Sequence, residues 1–321
     1  SSFPIGLNPS TACMLKNKTD AVSVVTSDDY ECRNHDVRDL VEMVGLPASP
    51  SSSSSGGGTG GGGGTGGGAE YWALLMDVIE MHEIRRDHGN ELASDALPGF
   101  PLPDQWESFT VNDVAMAVHD EYPGLHQSLF LSHLVRGRWG PVEYDRNVVP
   151  ERCQSDFLRS IVMLADLNQW GIRIVGPYNF GAKYFAGRSR PEEMICAILS
   201  RKVTGVPPAV RRRIQRTLSV PSATPESFTA YPEGSPRHPS WPAMHSAASC
   251  MSTWLAAVMN LSPIQHCQSI LIDYAVARAR TVAGVHYEDD NIAGLRMGEY
   301  IVREELPYHL MEMYGSDIDA V

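Results

Sequence analysis

Apolar positions along this chain recur mostly at the three- and four-residue spacing of helices, and few stretches alternate as strands do. A short helical stretch is expected near Val37–Val44, within polar and irregular first 50 residues. From Ala69 onward, Tyr71, Leu74, Leu75, Val78 and Met81 mark one helical face, and Phe157, Leu158, Ile161, Leu164 and Ala165 mark another. Pro191 is placed to start a helix, with Glu192 and Glu193 in its first turn, where a proline lacks no needed N–H and carboxylates oppose the dipole. That helix should reach about Lys202. Further helices are expected from His245 to about Asn260, over 263–283 with Cys267, Ile270, Leu271, Tyr274 and Ala277 on its apolar face, and from His286 to about Leu306, where Pro307 should stop it. Gly294 and Gly298, four apart, predict close contact with a neighbouring helix. Residues 98–109 and the Ser- and Pro-rich segment 218–243 read as loop and extended connection. The expected fold class is all-α, a helical bundle.

Ser51–Ser55 and Gly56–Gly68, broken only by Thr59 and Thr65, offer no side chains to bury and read as a disordered linker. The chain therefore divides into a polar segment 1–50, the linker 51–68 and a helical domain 69–321. No Gly-Lys-Ser/Thr follows the glycines, so a phosphate-binding loop is not read there.

Lys plus Arg number 26 and Asp plus Glu 38, and the net charge of −12 argues against nucleic acid as a partner. Any anion site must then come from a local cluster of cations. No run approaches a membrane span, so a protein without a transmembrane segment is expected, soluble, and a homo-oligomer is compatible with its apolar stripes. The chain begins with Ser and lacks a signal-peptide pattern, which reads as a processed or truncated product. Sequons at Asn17 and Asn260 are the pointers to a secreted or organellar location, though sequons also arise by chance. The six cysteines contain no Cys-x-x-Cys pair; Cys196, Cys250 and Cys267 read as core packing, and Cys13 and Cys32 as a disulfide pair if the compartment is oxidising. His82 and His88 near an expected helix end, and His119, His126 and His133, carry no metal-site expectation.

Three segments of the second half hold the residues an oxyanion needs. Lys183 is followed after six residues by Arg190-Pro191; Pro239-Ser240-Trp241-Pro242-Ala243-Met244-His245 comes next; Ala279-Arg280 is followed by His286 and Asp290. Lys183 supplies a point charge, Arg190 and Arg280 rigid forks for oxygen pairs, and a helix starting at His245 free N–H groups. His245 suits general acid or base work. Asp290, four residues after His286, can fix the imidazole tautomer and leave the other nitrogen for a metal or for phosphorus. Taken singly, each pair has the bland reading of a solvated face; three in this order over 183–290 are less readily fortuitous.

The pattern Lys-x6-Arg-Pro, a Pro-Ser segment ending in His, and Arg-x5-His-x3-Asp resembles the vanadium haloperoxidases and the related type-2 phosphatidic-acid and bacterial acid phosphatases. The stretch 232–242 and Gly284-Val285-His286-Tyr287 resemble the red-algal and cyanobacterial bromoperoxidases, and the likeness spans about 180–306. The resemblance implies a vanadate cofactor with His286 as its axial metal ligand. Lys183, Arg190, Arg280 and the Met244 backbone would bind its oxygens, and His245, His286 and Lys183 would be catalytic. Asp290 and His238 would act from behind, His238 tuning the halide toward bromide and iodide. Hydrogen peroxide, halide and small organic acceptors would be the partners, hypohalous acid the product. Ala243 and Met244 stand where the family has Ser and Gly, and Ala279 where it has Ser. Losing the hydroxyl donor at Ala243 costs on the order of 1.5–3 kcal/mol of oxyanion binding. Two alternatives follow: an acid phosphatase on the same scaffold, or a catalytically weakened oxyanion-binding paralogue.

Overall fold

The computed structural model describes residues 35–50, 67–94, 115, 124–138, 140–154, 157–218, 228–231, 234–317, 319 and 321. The expectations for Cys13, Cys32, Asn17, His119, most of the linker, the 98–109 loop and Pro232-Glu233 lie outside the described residues. Within them the protein is all-α, with two isolated bridges, Arg138 with Gly140 and Tyr144 with Met259. The helices are α1 (Val37–Val44), α2 (Gly67–Ser94), α3 (Gly124–Val135), α4 (Glu151–Gln154), α5 (Phe157–Ala186) and α6 (Pro191–Leu199). They continue as α7 (Pro208–Thr217), α8 (Met244–Ala248), α9 (Met251–Val258), α10 (Pro263–Val282) and α11 (Glu288–Tyr314). No described helix is long and apolar enough to cross a membrane.

The short helix α8 lies against α11 and α5, and α11 packs in turn on α5 and α10. Gly294 and Gly298 make the α8–α11 contact possible. A Cβ on Gly294 would stand 2.4 Å from the Ala243 carbonyl oxygen, and one on Gly298 2.0 Å from that of Ala247. The large apolar core joins Leu167, Val175 and Ala182 of α5 to Met251, Trp254 and Leu255 of α9 and to Met297, Ile301 and Leu310 of α11. A second cluster packs Tyr71, Leu75 and Val78 of α2 against Ile195, Ile198 and Ile214 of α6 and α7.

Several boundaries differ from expectation for identifiable reasons. Gly67 and Gly68, assigned to the linker, begin α2, because the first helical N–H groups need no intrahelical partner and Tyr71 and Trp72 anchor the next turn in the core. His82 consequently sits inside a long helix, buried, with Nδ1 3.0 Å from the Phe228 carbonyl and its ring stacked on Phe228. The helix after Pro191 ends at Leu199, before Lys202, and Arg201 turns the chain with φ 57°. The expected 245–260 helix breaks at Ser249–Cys250 into α8 and α9. The break is stabilised from α10: the Ser252 N–H donates to Asp273 Oδ2 (2.7 Å) and Ser249 Oγ to the Asp273 carbonyl (3.1 Å).

Pro307 does not stop α11, which runs on to Tyr314. The turns beyond it are held by buried Leu310, by His309 stacked on Trp170, and by Tyr314, whose hydroxyl donates to Asp166 (2.7 Å). These contacts offset one lost backbone hydrogen bond. On α10 the face predicted to be apolar is only partly buried: Cys267 is exposed and Ile270 47% exposed, Leu271 and Tyr274 are half-buried and Ala277 is buried, while the polar Gln265, Gln268, Asp273 and Arg280 are buried as well. The Cys267 reading as core packing is therefore wrong; Cys250 is buried and Cys196 half-buried. On α5, Ile161 and Ala165 of the predicted stripe are exposed, and Met163, Leu164 and Leu167 take the core.

Candidate oxyanion site

Backbone hydrogen bonds stitch the three motif segments together. The Ser240 N–H donates to the Arg188 carbonyl (2.8 Å), joining the second segment to the first, and the Ala243 N–H donates to the Asp290 carbonyl (2.9 Å), joining it to the third. Within the third, the Val285 and His286 N–H groups fold back on the Arg280 carbonyl. Gly284 makes that turn, with φ 78° and the Phe228 carbonyl oxygen 3.0 Å from where a Cβ would stand. Only glycine suits that combination.

Lys183 comes from the last turn of α5 and is 0% exposed. Its ammonium donates to the carbonyls of Pro239 (3.1 Å) and Ser240 (2.8 Å). Arg190, 1% exposed, donates through Nη1 to the Val285 carbonyl (2.8 Å) and to His286 Nε2 (3.0 Å). Its Nε donates to the His238 carbonyl and its Nη2 to His238 Nδ1, each at 3.1 Å. Among the described residues, no ion pair joins Lys183 or Arg190 to a carboxylate. Arg280 is buried completely and donates to the Tyr231 hydroxyl.

His286, 3% exposed, precedes α11 instead of starting it; Tyr287 is the N-cap and Asp290 the third helical residue. The pair meets across this cap: His286 Nδ1 lies 3.1 Å from Asp290 Oδ2, which also accepts from Ser240 Oγ and from the Tyr287 N–H (3.0 Å). A guanidinium only donates and a carboxylate only accepts, so the proton belongs on Nδ1 and the Nε2 lone pair faces Arg190. His245 lies at the second position of α8, and its buried Nε2 has no hydrogen-bond partner among the described residues. His238 is half-buried, with its ring edge-on to Phe180 at 5.0 Å.

The charges act on one another as a cluster. Burial and the neighbouring Arg190 push the Lys183 ammonium well below its usual range. Burial lowers Arg190 to about 10, so it stays charged at neutral pH. Burial, then Arg280, His286, Lys183 and Arg190, hold His245 well below the usual imidazole value. Burial and Arg190 do the same to His286, and burial, Arg190 and Lys183 to His238. Asp290 behaves oppositely: burial alone would raise it, but Arg188 and the hydrogen bonds from His286 and Ser240 hold it below the ordinary carboxylate range.

All eight predicted site residues thus occupy this region, but not each as expected. The five-residue α8 is too short to lend the dipole expected of a long helix at His245. Met244 is buried in the apolar core, its Cε 3.7 Å from where a Cβ on Gly176 would stand, so its side chain packs on α5. Ala243 is fully buried, and its N–H serves Asp290. The sequence reading gave no role to Arg188, Ser240, Tyr231 or Phe180. The Arg-x-Arg spacing of Arg188 and Arg190 was the one available signal; the others become visible only through contacts between distant segments. No protein-family model matches the chain, and no curated protein matches it in sequence.

Proposed function

We propose that the protein is a vanadate-dependent haloperoxidase on a haloperoxidase-type bundle, oxidising bromide and iodide, and chloride poorly, with hydrogen peroxide. The observation that carries this reading is the pair Lys183 and Arg190, buried beside Arg280 with no contacting carboxylate for either of the first two. Effective penalties for burying an ion reach several kcal/mol. An anion received at the same place offsets that penalty and favours the charged form of Lys183. The donor set fits a tetrahedral oxyanion with one nitrogen ligand: cations on two segments, the Nε2 lone pair of His286 and the unpartnered Nε2 of His245. Among the described residues no three His, Cys, Asp or Glu side chains are grouped to hold a metal cation, and an oxyanion held by cations requires none.

In this reading Lys183, Arg190 and Arg280 would hold the oxygens, and the Arg190 fork now on His286 Nε2 would be shared with the anion. His286 would offer Nε2 as ligand while Asp290 holds its Nδ1 proton in place. His245, whose Nε2 is without a partner among the described residues, would be the group to exchange a proton with bound peroxide. His238 and Phe180 form a mixed polar and aromatic wall beside Arg190. Bound vanadate would supply the Lewis acidity that activates peroxide toward halide. Organic acceptors are halogenated by the hypohalous acid released.

A second reading, a weakened oxyanion-binding relative, is favoured by position 243, which lacks a hydroxyl and whose N–H is engaged with Asp290. The deciding experiment measures vanadate binding, then peroxide-dependent oxidation of iodide, bromide and chloride and hydrolysis of a phosphate ester, before and after vanadate addition. Bromination that appears with vanadate supports the proposal. Binding without turnover selects the weakened relative, ester hydrolysis inhibited by vanadate selects a phosphatase, and no oxyanion binding overturns all three.

A further inference from the structure

Arg188 carries no role in the reading above, yet one of its guanidinium nitrogens is tied directly to Asp290 of the site. It is 8% exposed, on the turn between α5 and α6. Its Nη1 lies 2.6 Å from Asp289 Oδ1 and 2.6 Å from Asp290 Oδ1. Its guanidinium carbon sits 4.1 Å from the centre of the Tyr287 ring and 5.6 Å from that of Tyr71. The two tyrosine hydroxyls are hydrogen-bonded at 2.8 Å, so the stacking platform is itself braced. Its carbonyl also receives the Ser240 N–H, which ties this turn to the second motif segment.

The two oxygens of Asp290 have divided duties. Oδ2 receives His286, Ser240 and the Tyr287 N–H, and Oδ1 receives Arg188. Asp289 brings a second carboxylate to the same nitrogen of Arg188 and also accepts the Ala48 N–H (3.2 Å). Without the guanidinium, one buried Asp290 oxygen is left unmatched beside a like charge. The carboxylate is then free to rotate and no longer remains a fixed acceptor for His286 Nδ1–H.

We infer that Arg188 is a positioning residue: it locks the Asp290 carboxylate from behind, and through it keeps the His286 ring proton on Nδ1, leaving Nε2 open toward the oxyanion site. The assignment of Nε2 as the ligand atom rests on the proposed function; the locking of the ring does not. An arginine is needed because its planar face stacks on Tyr287 while one of its nitrogens reaches both carboxylates.

The test is long-range proton–nitrogen NMR on the full chain labelled with 15N-histidine, free of vanadate, at one neutral pH. The unmodified protein should show His286 with its proton on Nδ1. Arg188→Gln should give a mixture of the two tautomers, and Arg188→Lys, which keeps the charge but lacks the planar face stacked on Tyr287, should restore only part of the original signal. Outer partners of metal-binding histidines typically change affinity by about 10- to 100-fold, and vanadate binding to Arg188→Gln should weaken by that factor. A folded Arg188→Gln protein with an unchanged His286 tautomer overturns the inference. If that variant does not fold, Arg188→Gln with Asp289→Asn removes the uncompensated neighbouring charge and is read the same way. The tautomer is measured without any anion, so a protein that binds no vanadate fails the functional reading while leaving this one decided.

Discussion

Lys183 with Arg190, and separately Asp273, bury ionisable groups with no opposite charge in contact among the described residues, and they resolve it differently. At the candidate site Lys183 and Arg190 donate to carbonyl oxygens and imidazole nitrogens. At the break between α8 and α9, Asp273 of α10 is 4% exposed and meets neutral donors: Ser252 N–H, Gln127 Nε2 (3.1 Å) and Ser249. Burial raises Asp273 to about 7, so at modest acidity it escapes its penalty by taking a proton. Arg190 has no such escape below about pH 10. Burial is thus met at Asp273 by protonation, whereas Arg190 stays charged among neutral acceptors.

The largest expected effect breaks the site side of this contrast. His286→Ala removes the nitrogen proposed to bind vanadium and should abolish bound vanadium, measured as metal content after gel filtration. Stoichiometric vanadium in that variant would mean that the cations alone hold the anion and that His286 is misassigned.

The Asp273 side predicts a pH effect with a definite sign. The folded pKa is raised, from 3.8 to about 7, so the stabilising contribution is complete below the unfolded value and is lost as pH rises through about 7. Relative to the unmodified protein, Asp273→Asn should gain stability between pH 5 and pH 8, by on the order of 2–3 kcal/mol in paired urea melts. Equal differences at the two pH values would show that the carboxyl is not protonated in the fold. Asp290 should behave in the opposite sense: its folded value is depressed, so its contribution is present above the ordinary carboxylate range and fails on acidification through the folded value.

A smaller effect sharpens the comparison at position 243. Ala243→Ser offers a hydroxyl where the cation site lacks one, and vanadate should bind about tenfold tighter for each 1.4 kcal/mol recovered, read by calorimetric titration. Adding Met244→Gly carries a separate cost, because Met244 fills the core against Gly176 and deleting such a side chain costs roughly 2–5 kcal/mol. Unchanged affinity in Ala243→Ser would show that the pocket already satisfies that oxygen elsewhere.

The legible and illegible parts of this chain divide by the kind of information each needs. Val37–Val44 was readable to the residue, and the gap between Gly294 and Gly298 announced the α8–α11 contact, because spacing along one helix is a local property. Six of the site residues, Lys183, Arg190, His245, Arg280, His286 and Asp290, stood out in three segments, whereas Met244 and His238 were listed only through the family resemblance. Hydrophobicity misled in part on α10, where Cys267 and Ile270 looked like core and are exposed, whereas Ala277 is buried as expected and Asp273 and Arg280 are buried as well. Polar side chains can be buried where neighbouring segments supply their partners, and the spacing along one helix does not show that.

The sequence by itself determined the helical class, because residue spacing and proline and glycine placement act over a few neighbours. It also determined which cations and histidines are available for an oxyanion. Only the tertiary structure decided that Lys183 and Arg190 meet no carboxylate among the described residues, that Arg188 takes both Asp289 and Asp290, and that the His286 proton belongs on Nδ1. It likewise decided that α11 continues through Pro307. The physical reason is that each outcome depends on which groups meet across about 100 residues of chain separation, as Arg188 and Asp290 do, and on how much water is excluded where they meet.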